Sequence, residues 1–117
     1  MAYGRQEPGE PYKRISVTDA LEMQESGALV IDVRRLDEWM SGHITGALHL
    51  PVDDILTLAD DQLPKDRDLL FICAMGVRSG LACEMVSALG FATDRLYNIE
   101  EGTPAWIEQG MPTDYGN

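Results

Sequence analysis

The stretch DLLFICAMGVRSGLACEMVSALGF, residues 68–91, decides how this chain folds. Residues 69–73 form a continuous apolar run of strand length, which is typical of a parallel strand covered on both faces. Residues 79–89 repeat apolar side chains at helical spacing, and Gly90 follows where such a helix would end. The stretch therefore predicts a buried strand, a short loop and a helix whose apolar stripe consists of Leu81, Ala82, Met85, Val86 and Leu89.

Further strand candidates lie on both sides of this stretch. Residues 29–33 form a second apolar run of strand length, and shorter β-branched or aromatic runs occupy residues 15–17, 47–50 and 95–99. With residues 69–73, these runs predict a sheet of about five strands.

Helix signals alternate with the strand candidates. They predict helices at 18–26, with Thr18 as a candidate N-cap, at 37–41, and at 104–109 after the capping residue Thr103. Alternating strands and helices predict an α/β fold with a mainly parallel sheet and helices on both faces. Ligands of such sheets bind beyond the carboxyl ends of the strands.

The composition is that of an ordinary folded protein. The 117 residues, 44% hydrophobic and 25% charged, correspond to one domain at roughly 100–200 residues each. The net charge of −11 has the wrong sign for general attraction to nucleic acid or to an anionic membrane surface. No apolar run approaches the roughly 20 residues that cross a bilayer. We therefore expect no nucleic-acid or membrane partner, and the sequence gives no indication of the oligomeric state.

The N-terminal residues and the cysteines bear on organisation and compartment. Residues 1–12 contain two Pro and two Gly without periodicity, which predicts a flexible arm outside a domain formed by residues 13–117. Residues 1–14 lack the apolar run of a secretory signal, and two cysteines are too few for a disulfide scaffold. A cytoplasmic location is expected.

The loop after the central strand is the segment expected to carry chemistry. Cys73 ends the strand and a helix begins near Ser79, so the thiol lies at the mouth of a turn whose N–H groups can point inward. These amides, the helix N-terminus and Arg78 favour a thiolate open to solvent, with a pKa below the reference of about 8.5. Gly76 suits a positive φ. The loop contains no base, so a lowered pKa is the favoured activation. The alternative is a buried strand-end cysteine without chemistry.

Three segments, in chain order, carry a resemblance to a known family. Residues 31–48, IDVRRLDEWMSGHITGAL, are similar to an Asp-x-Arg run followed by Glu-aromatic and Gly-His-Ile-x-Gly-Ala. Residues 73–79, CAMGVRS, are similar to a loop of Cys, two residues, Gly, one residue, Arg and Ser. Residues 97–112, YNIEEGTPAWIEQGMP, are similar to a closing segment with Gly-Gly, Ala-Trp and Gly-hydrophobic-Pro, although Glu101 replaces the first glycine. Over nearly its whole length the chain resembles a rhodanese domain, the sulfurtransferase family.

The resemblance implies the rhodanese-like fold and a double-displacement reaction. The Cys73 thiolate would take the outer sulfur of thiosulfate or a persulfide, form a Cys73 persulfide and pass the sulfur to a thiol, cyanide or protein acceptor. No metal or organic cofactor would take part. Trp106 would border the pocket. The residues that would bind the charged sulfur species are Ala74, Met75, Gly76, Val77, Arg78 and Ser79.

Two other functions occur on the same fold. The phosphatases place five residues between Cys and Arg, whereas four, residues 74–77, intervene here. The tighter ring suits a sulfur atom better than a phosphoryl group and ranks phosphatase or arsenate reductase activity below sulfur transfer. Rhodanese-like domains also act as non-catalytic, sulfur-carrier or regulatory modules with a partner protein. Because the loop is mostly apolar and the chain acidic, we expect weak use of free thiosulfate and better use of a persulfide or protein donor.

Other polar residues have structural interpretations. Asp32 and Arg34 are interpreted as a buried ion pair or cap, with Glu38 as a candidate partner of Arg34, rather than as catalytic groups. His43 is expected to hydrogen-bond its turn backbone, and His49 has no visible partner.

Cys83 and two pairs of adjacent aspartates are also interpreted as residues without a catalytic or metal-binding role. Cys83 lies off the predicted apolar stripe, so it is either an inert bystander, which is favoured, or a resolving thiol for Cys73. The pairs at 53–54 and 60–61 lack the spacing of metal ligands and predict a solvated acidic face.

Overall fold

A six-stranded sheet lies at the centre of the computed structural model, which describes residues 3–117. The strands are β1 (Arg5–Gln6), β2 (Lys13–Ile15), β3 (Leu29–Asp32), β4 (His43–Ile44), β5 (Leu48–His49), β6 (Leu69–Ile72), β7 (Leu96–Ile99) and β8 (Thr113–Asp114). Six of them form the sheet, in the spatial order β1-β2-β7-β6-β3-β5, and β4 and β8 form a separate antiparallel pair. Every neighbouring pair in the six-stranded sheet is parallel except β1 and β2.

Helices cover both faces of the sheet, which confirms the predicted α/β class. They are α1 (Val17–Glu25), α2 (Leu36–Met40), α3 (Ile55–Gln62), α4 (Val77–Ala88) and α5 (Gly102–Glu108). No helix among residues 3–117 is long and apolar enough to span a membrane.

Two hydrophobic cores arise because successive strand residues point to opposite faces. Ile31 and Phe71 lie in the core shared with α3 and α4. Val30 and Ile72 lie in the core shared with α1 and α5. The continuous apolar runs of β3 and β6 are therefore buried on both sides, as the sequence predicted.

The N-terminal segment packs against the sheet where the structure describes it. β1 pairs with β2, Tyr12 is buried, and Arg5 forms an ion pair with Glu100 beyond β7. The prediction of a loose arm is thus wrong for residues 3–12, because this segment hydrogen-bonds to the open edge of β2. Residues 1 and 2, the start of the predicted arm, lie outside the described residues.

The helix after the central strand buries a face that partly overlaps the predicted apolar stripe. Ala82 and Val86 of that stripe are buried and Met85 and Leu89 pack, partly buried, against the core, whereas Leu81 is exposed. The other buried residues of the helix are Ser79, Gly80 and Cys83. Ser79, Ala82, Cys83 and Val86 follow the spacing of one helical stripe. Ser79 and Cys83 are not strongly apolar, so the apolar pattern alone did not reveal this stripe.

Two helix caps also differ from the predictions. Ser16, not Thr18, caps α1, because its side chain accepts a hydrogen bond from the Asp19 amide at 3.1 Å. Thr103 lies inside α5, which begins one residue earlier, and its side chain has a different partner, described below.

Candidate active site

A tight turn from Cys73 to Gly76 joins β6 to α4. Gly76 is the N-cap of α4 with φ of +85°, and a Cβ on it would lie 2.8 Å from the Glu100 carbonyl oxygen. The positive φ and the close approach both require glycine, which confirms the interpretation of Gly76. The turn therefore lies against the carboxyl end of β7.

The sulfur of Cys73 is hydrogen-bonded within this turn. The Gly76 amide donates to Sγ at 3.1 Å, and the Ser79 hydroxyl oxygen lies 3.3 Å from Sγ. The expected inward-pointing amide is present. The expectation of a sulfur open to solvent is wrong, because Cys73 is only 1% exposed. Its side chain belongs to the core on the α4 face of the sheet, beneath the turn.

The surroundings of Cys73 shift its acidity in two opposing ways. Burial raises the pKa of the thiol, because it disfavours the charged form. The Ser79 hydroxyl and the backbone amides of Ser79, Met75 and Gly76 favour the thiolate more strongly, so the pKa of Cys73 lies below its ordinary value. The direction predicted from the sequence is therefore confirmed.

Asn98 and Ser79 form a network behind the sulfur that the sequence did not predict. Ser79 Oγ donates to Asn98 Oδ1 at 2.6 Å, and Asn98 Nδ2 donates to the Gly76 carbonyl oxygen at 3.0 Å. A hydroxyl has one proton, so the protonated Cys73 thiol donates to Ser79. After Cys73 ionises, the Ser79 hydroxyl can donate to the sulfur only if its hydrogen bond to Asn98 breaks. Asn98 thus influences both the shape of the turn and the free energy of forming the thiolate.

Arg78 binds a carboxylate of α2. Its Nη1 and Nη2 donate to Glu38 Oε1 and Oε2 at 2.7 and 2.9 Å, a bidentate arrangement. Hydrogen bonds from Arg78 lower the pKa of Glu38 to about 2, although partial burial opposes the shift. Arg78, which was predicted to bind charged sulfur species, is therefore paired with a carboxylate of the protein.

A second, fully buried ion pair fixes the end of β3. Arg34 Nη2 donates to Asp32 Oδ2 at 2.8 Å and to the Gly42 carbonyl oxygen at 2.7 Å. The interpretation of Asp32 and Arg34 as a buried pair is confirmed. The candidate pair of Arg34 with Glu38 is wrong, because Asp32 holds the Arg34 guanidinium and Arg78 holds Glu38.

The two histidines stack on Trp39. Their ring centroids lie 3.5 Å (His43) and 4.8 Å (His49) from that of Trp39. His43 Nδ1 hydrogen-bonds the Trp39 carbonyl oxygen at 2.8 Å, which confirms its predicted role in the turn. His49 Nε2 hydrogen-bonds the Arg34 carbonyl oxygen at 2.7 Å, a partner that the sequence did not indicate.

The first turn of α5 holds the backbone of the cysteine. The Thr103 amide and hydroxyl donate to the Cys73 carbonyl oxygen at 3.0 and 3.3 Å. Gly102 has φ of +79°, and a Cβ on it would collide with the Ala74 carbonyl oxygen. Glu101 lies at the departure from the family motif, and its carboxylate accepts a hydrogen bond from the Val17 amide at 2.8 Å. Thr103 therefore positions Cys73 instead of capping a helix.

A cleft of about 570 Å³ opens beside the turn, between α2 and α5. Ala74 lines it next to the cysteine, and Pro104 and Ile107 supply apolar surface from α5. Trp106 does not border this cleft, contrary to the prediction. It is fully buried on the sheet-facing side of α5, and its indole N–H donates to the Pro112 carbonyl oxygen at 2.9 Å.

The remaining predicted loop residues, Met75 and Val77, point away from the core. Their exposed fractions are 78% and 76%, so they contribute side chains to the rim of the turn and not to the packing around the sulfur.

Cys83 occupies the middle of α4 and is completely buried. Its Sγ donates to the Tyr97 carbonyl oxygen at 3.6 Å, and burial raises its pKa well above the ordinary value. These surroundings favour the interpretation of Cys83 as an inert thiol.

The acidic pairs lie on the surface, as predicted, because Asp53, Asp54, Asp60 and Asp61 are all exposed. Within residues 3–117, no three His, Cys, Asp or Glu side chains are grouped as metal ligands.

A model of the rhodanese-like domain family matches residues 16–109 of this chain. The chain belongs to the rhodanese-like domain family. A thiosulfate sulfurtransferase GlpE of Pseudomonas entomophila is 36% identical over 98 residues, which cover 81% of this chain and 84% of that protein. A sulfurtransferase of Allochromatium vinosum is 34% identical over 84 residues, which cover 72% of this chain and 76% of that protein.

The match to a solved structure supports the family assignment. The crystal structure of a rhodanese-related protein from Thermoplasma volcanium matches this rhodanese-like domain with a TM-score of 0.77 at 31% identity. The match covers 88% of this chain and 98% of that one. The fold implied by the three sequence motifs is therefore confirmed.

Proposed function

We propose that this rhodanese-like domain is a sulfurtransferase that carries sulfur on Cys73. The main observation behind this proposal is that the Cys73 sulfur is hydrogen-bonded, with the Gly76 amide at 3.1 Å and the Ser79 hydroxyl oxygen at 3.3 Å. These surroundings hold the pKa of Cys73 below its ordinary value. A thiolate that forms more readily than that of an ordinary thiol is a nucleophile without a neighbouring base. The relatives named sulfurtransferases support the same reaction class.

In the first step, the Cys73 thiolate attacks the outer sulfur of the donor. A new S–S bond forms to Cys73 as the old bond breaks. A persulfide donor leaves as its thiol, and thiosulfate leaves as sulfite with the bonding electron pair. The product is a Cys73 persulfide anion, which the turn amides can stabilise by charge-assisted hydrogen bonds.

In the second step, an acceptor attacks the terminal sulfur of that persulfide. A thiolate acceptor becomes a persulfide, cyanide becomes thiocyanate, and Cys73 regains its electron pair as a thiolate. Atoms and electrons balance without a metal, a redox cofactor or an external oxidant.

The donor that fits best is a persulfide, either free or on a protein. Thiosulfate is a dianion, and Arg78, the cation of the loop, is already bound by Glu38 at 2.7 and 2.9 Å. A dianion must therefore compete with the Glu38 carboxylate for Arg78. A low KM for thiosulfate, comparable with that for glutathione persulfide, would contradict this preference.

Sulfur transfer is tested by intact-mass measurement after incubation with thiosulfate or glutathione persulfide. We expect a gain of one sulfur atom in the native protein and none in Cys73→Ser. Absence of an adduct from both donors would favour the non-catalytic or regulatory module. An adduct that no acceptor discharges would favour a stoichiometric sulfur carrier.

Phosphatase activity is the weaker alternative. The four residues between Cys73 and Arg78 form a small ring, and Arg78 is engaged by Glu38. Robust hydrolysis of an aryl phosphate that disappears in Cys73→Ser would reverse this ranking.

A further inference from the structure

The cleft beside Cys73 is larger than the small inorganic donors and acceptors of sulfur. Its volume of about 570 Å³ lies in the range of sites that hold organic ligands or peptide side chains. Pro104 and Ile107 give it apolar surface, and Ala74 connects it to the turn that covers the sulfur. A guest with only a few atoms would leave most of this surface unfilled.

The charges around the cleft are unfavourable for an anionic guest. Arg34 lines the cleft, but its guanidinium is buried against Asp32 and the Gly42 carbonyl oxygen. Three carboxylates also line it, those of Asp37, Glu38 and Glu108. Arg35 pairs with Asp37, and Arg78 pairs with Glu38. Glu108 is exposed and has no ion-pair partner among residues 3–117.

An exposed aromatic ring adjoins Gly42, which lines the same cleft. A Cβ on Gly42 would lie 3.0 Å from the Tyr115 ring. Its exposed fraction is 66%. The open aromatic face of Tyr115 suits a Lys or Arg side chain through a cation–π contact, and the unpaired Glu108 carboxylate suits one through an ionic contact.

We propose that this cleft binds a basic polypeptide segment that carries the sulfur-accepting cysteine. The apolar surface holds the segment, Glu108 and Tyr115 bind its basic side chains, and the cysteine reaches the Cys73 persulfide past Ala74. This inference rests on the proposed sulfur transfer for its chemistry, whereas its recognition step depends only on the cleft.

Binding is measured by fluorescence anisotropy with two labelled peptides of equal length. Each carries serine in place of the acceptor cysteine, flanked by lysines in one peptide and by glutamates in the other. We expect the lysine peptide to bind at least fivefold more tightly at low salt, and the difference to shrink as salt screens the charges. Equal affinities, or tighter binding of the glutamate peptide, would overturn the proposal.

Variants locate the binding site. Glu108→Gln and Tyr115→Ala should each reduce the preference for lysine about threefold, because each removes one contact to the basic side chain. Tyr115→Phe keeps the aromatic face and should retain the preference. Glu25→Gln removes an exposed carboxylate at the end of α1, outside the cleft, and should change nothing. An unchanged preference in both Glu108→Gln and Tyr115→Ala would refute this placement.

A second experiment measures the rate of sulfur transfer from the Cys73 persulfide to the same two peptides with the acceptor cysteine restored. Its outcome distinguishes a failure of this inference from a failure of the proposed function. With the Cys73 persulfide formed, we expect faster transfer to the lysine peptide, and equal rates would count against the inference. Failure of Cys73 to take up sulfur would instead contradict the proposed function, while the anisotropy result would still decide whether the cleft selects basic peptides.

Discussion

Cys73 and Cys83 belong to one strand–turn–helix unit, and both are buried, with exposed fractions of 1% and 0%. Their acidities nevertheless shift in opposite directions. The pKa of Cys83 rises because burial is not offset by any donor of comparable strength. The pKa of Cys73 falls because a hydroxyl and several amides outweigh the same effect of burial.

The two cysteines show that the accessibility of a sulfur and its charge are separate properties. Exposure determines whether a reagent can reach a sulfur, whereas hydrogen-bond donors determine whether the sulfur is charged. Cys73 is charged more easily than a free thiol even though it is as inaccessible as a core residue. The position of a backbone turn, more than solvent, therefore makes one thiol nucleophilic and leaves the other inert.

The largest expected difference between the two thiols is in sulfur loading. Cys73→Ser should abolish the gain of sulfur from glutathione persulfide, and Cys83→Ala should leave it unchanged, because only Cys73 has donors for a charged persulfide. Intact-mass spectrometry reads both variants. Loading that persists in Cys73→Ser, or that disappears in a folded Cys83→Ala protein, would contradict the assignment.

The next difference is in stability at alkaline pH. The folded pKa of Cys83 is raised, so the unfolded state loses its thiol proton first, above about pH 8.5. The free energy of unfolding should then fall by about 1.4 kcal/mol per pH unit from this group. The contribution of Cys73 has the opposite sign: it is complete above the unfolded pKa and is lost as pH falls through the lowered folded pKa.

Chemical denaturation of the native protein and Cys83→Ala between pH 8 and 10 measures this effect. The difference between the two proteins removes contributions from Tyr and Lys residues that both share. We expect the variant to lose less stability than the native protein as pH rises. A difference that stays constant over this range would show that Cys83 is not shifted by burial.

A smaller effect is expected from the hydroxyl that distinguishes the surroundings of Cys73. Ser79→Ala removes a donor to the thiolate, so the rate of alkylation by iodoacetamide at neutral pH should fall roughly fivefold, because a hydrogen bond contributes about 1 kcal/mol. Ser87→Ala, on the same helix but away from the turn, is the matched control. An unchanged rate in Ser79→Ala would assign the acidity of Cys73 to the backbone amides alone.

The smallest effect concerns the paired cation beside Cys73. Glu38→Gln should release Arg78 and lower the KM for thiosulfate by roughly threefold, since an ion pair that keeps partial contact with solvent contributes only about 1 kcal/mol. Asp37→Asn, which removes the neighbouring carboxylate, should leave KM nearly unchanged. A higher KM in Glu38→Gln would mean that Glu38 positions Arg78 for the donor and does not compete with it.

The parts of the site that the sequence predicted are local. Cys73, Gly76 and Ser79 lie within one strand–turn–helix unit, so their spacing alone indicated a turn with inward amides and a lowered pKa. Exposure of the sulfur was mispredicted, because the direction of a strand-end side chain depends on which face of the sheet α4 covers.

The parts that the sequence did not predict come from other elements. Asn98 lies at the end of β7, Thr103 in α5 and Glu38 in α2, and each contacts the Cys73 turn or the first residues of α4 only after the sheet has assembled. The sequence did contain an indication of Asn98, since it is a polar residue within a buried strand run that ends on the ligand side of the sheet. Strand pairs of two residues, such as β4 with β8, are too short to give a periodic pattern.

The reaction also depends on the C-terminal part of the chain. Thr103 donates two hydrogen bonds to the Cys73 carbonyl oxygen, and Gly102 packs closely against Ala74. A stop codon after residue 101 would spare the nucleophile, its turn and every strand of the large sheet. The shortened product would still lack the helix that holds the nucleophile in place. Screens for loss of function should therefore recover nonsense alleles far downstream of codon 73.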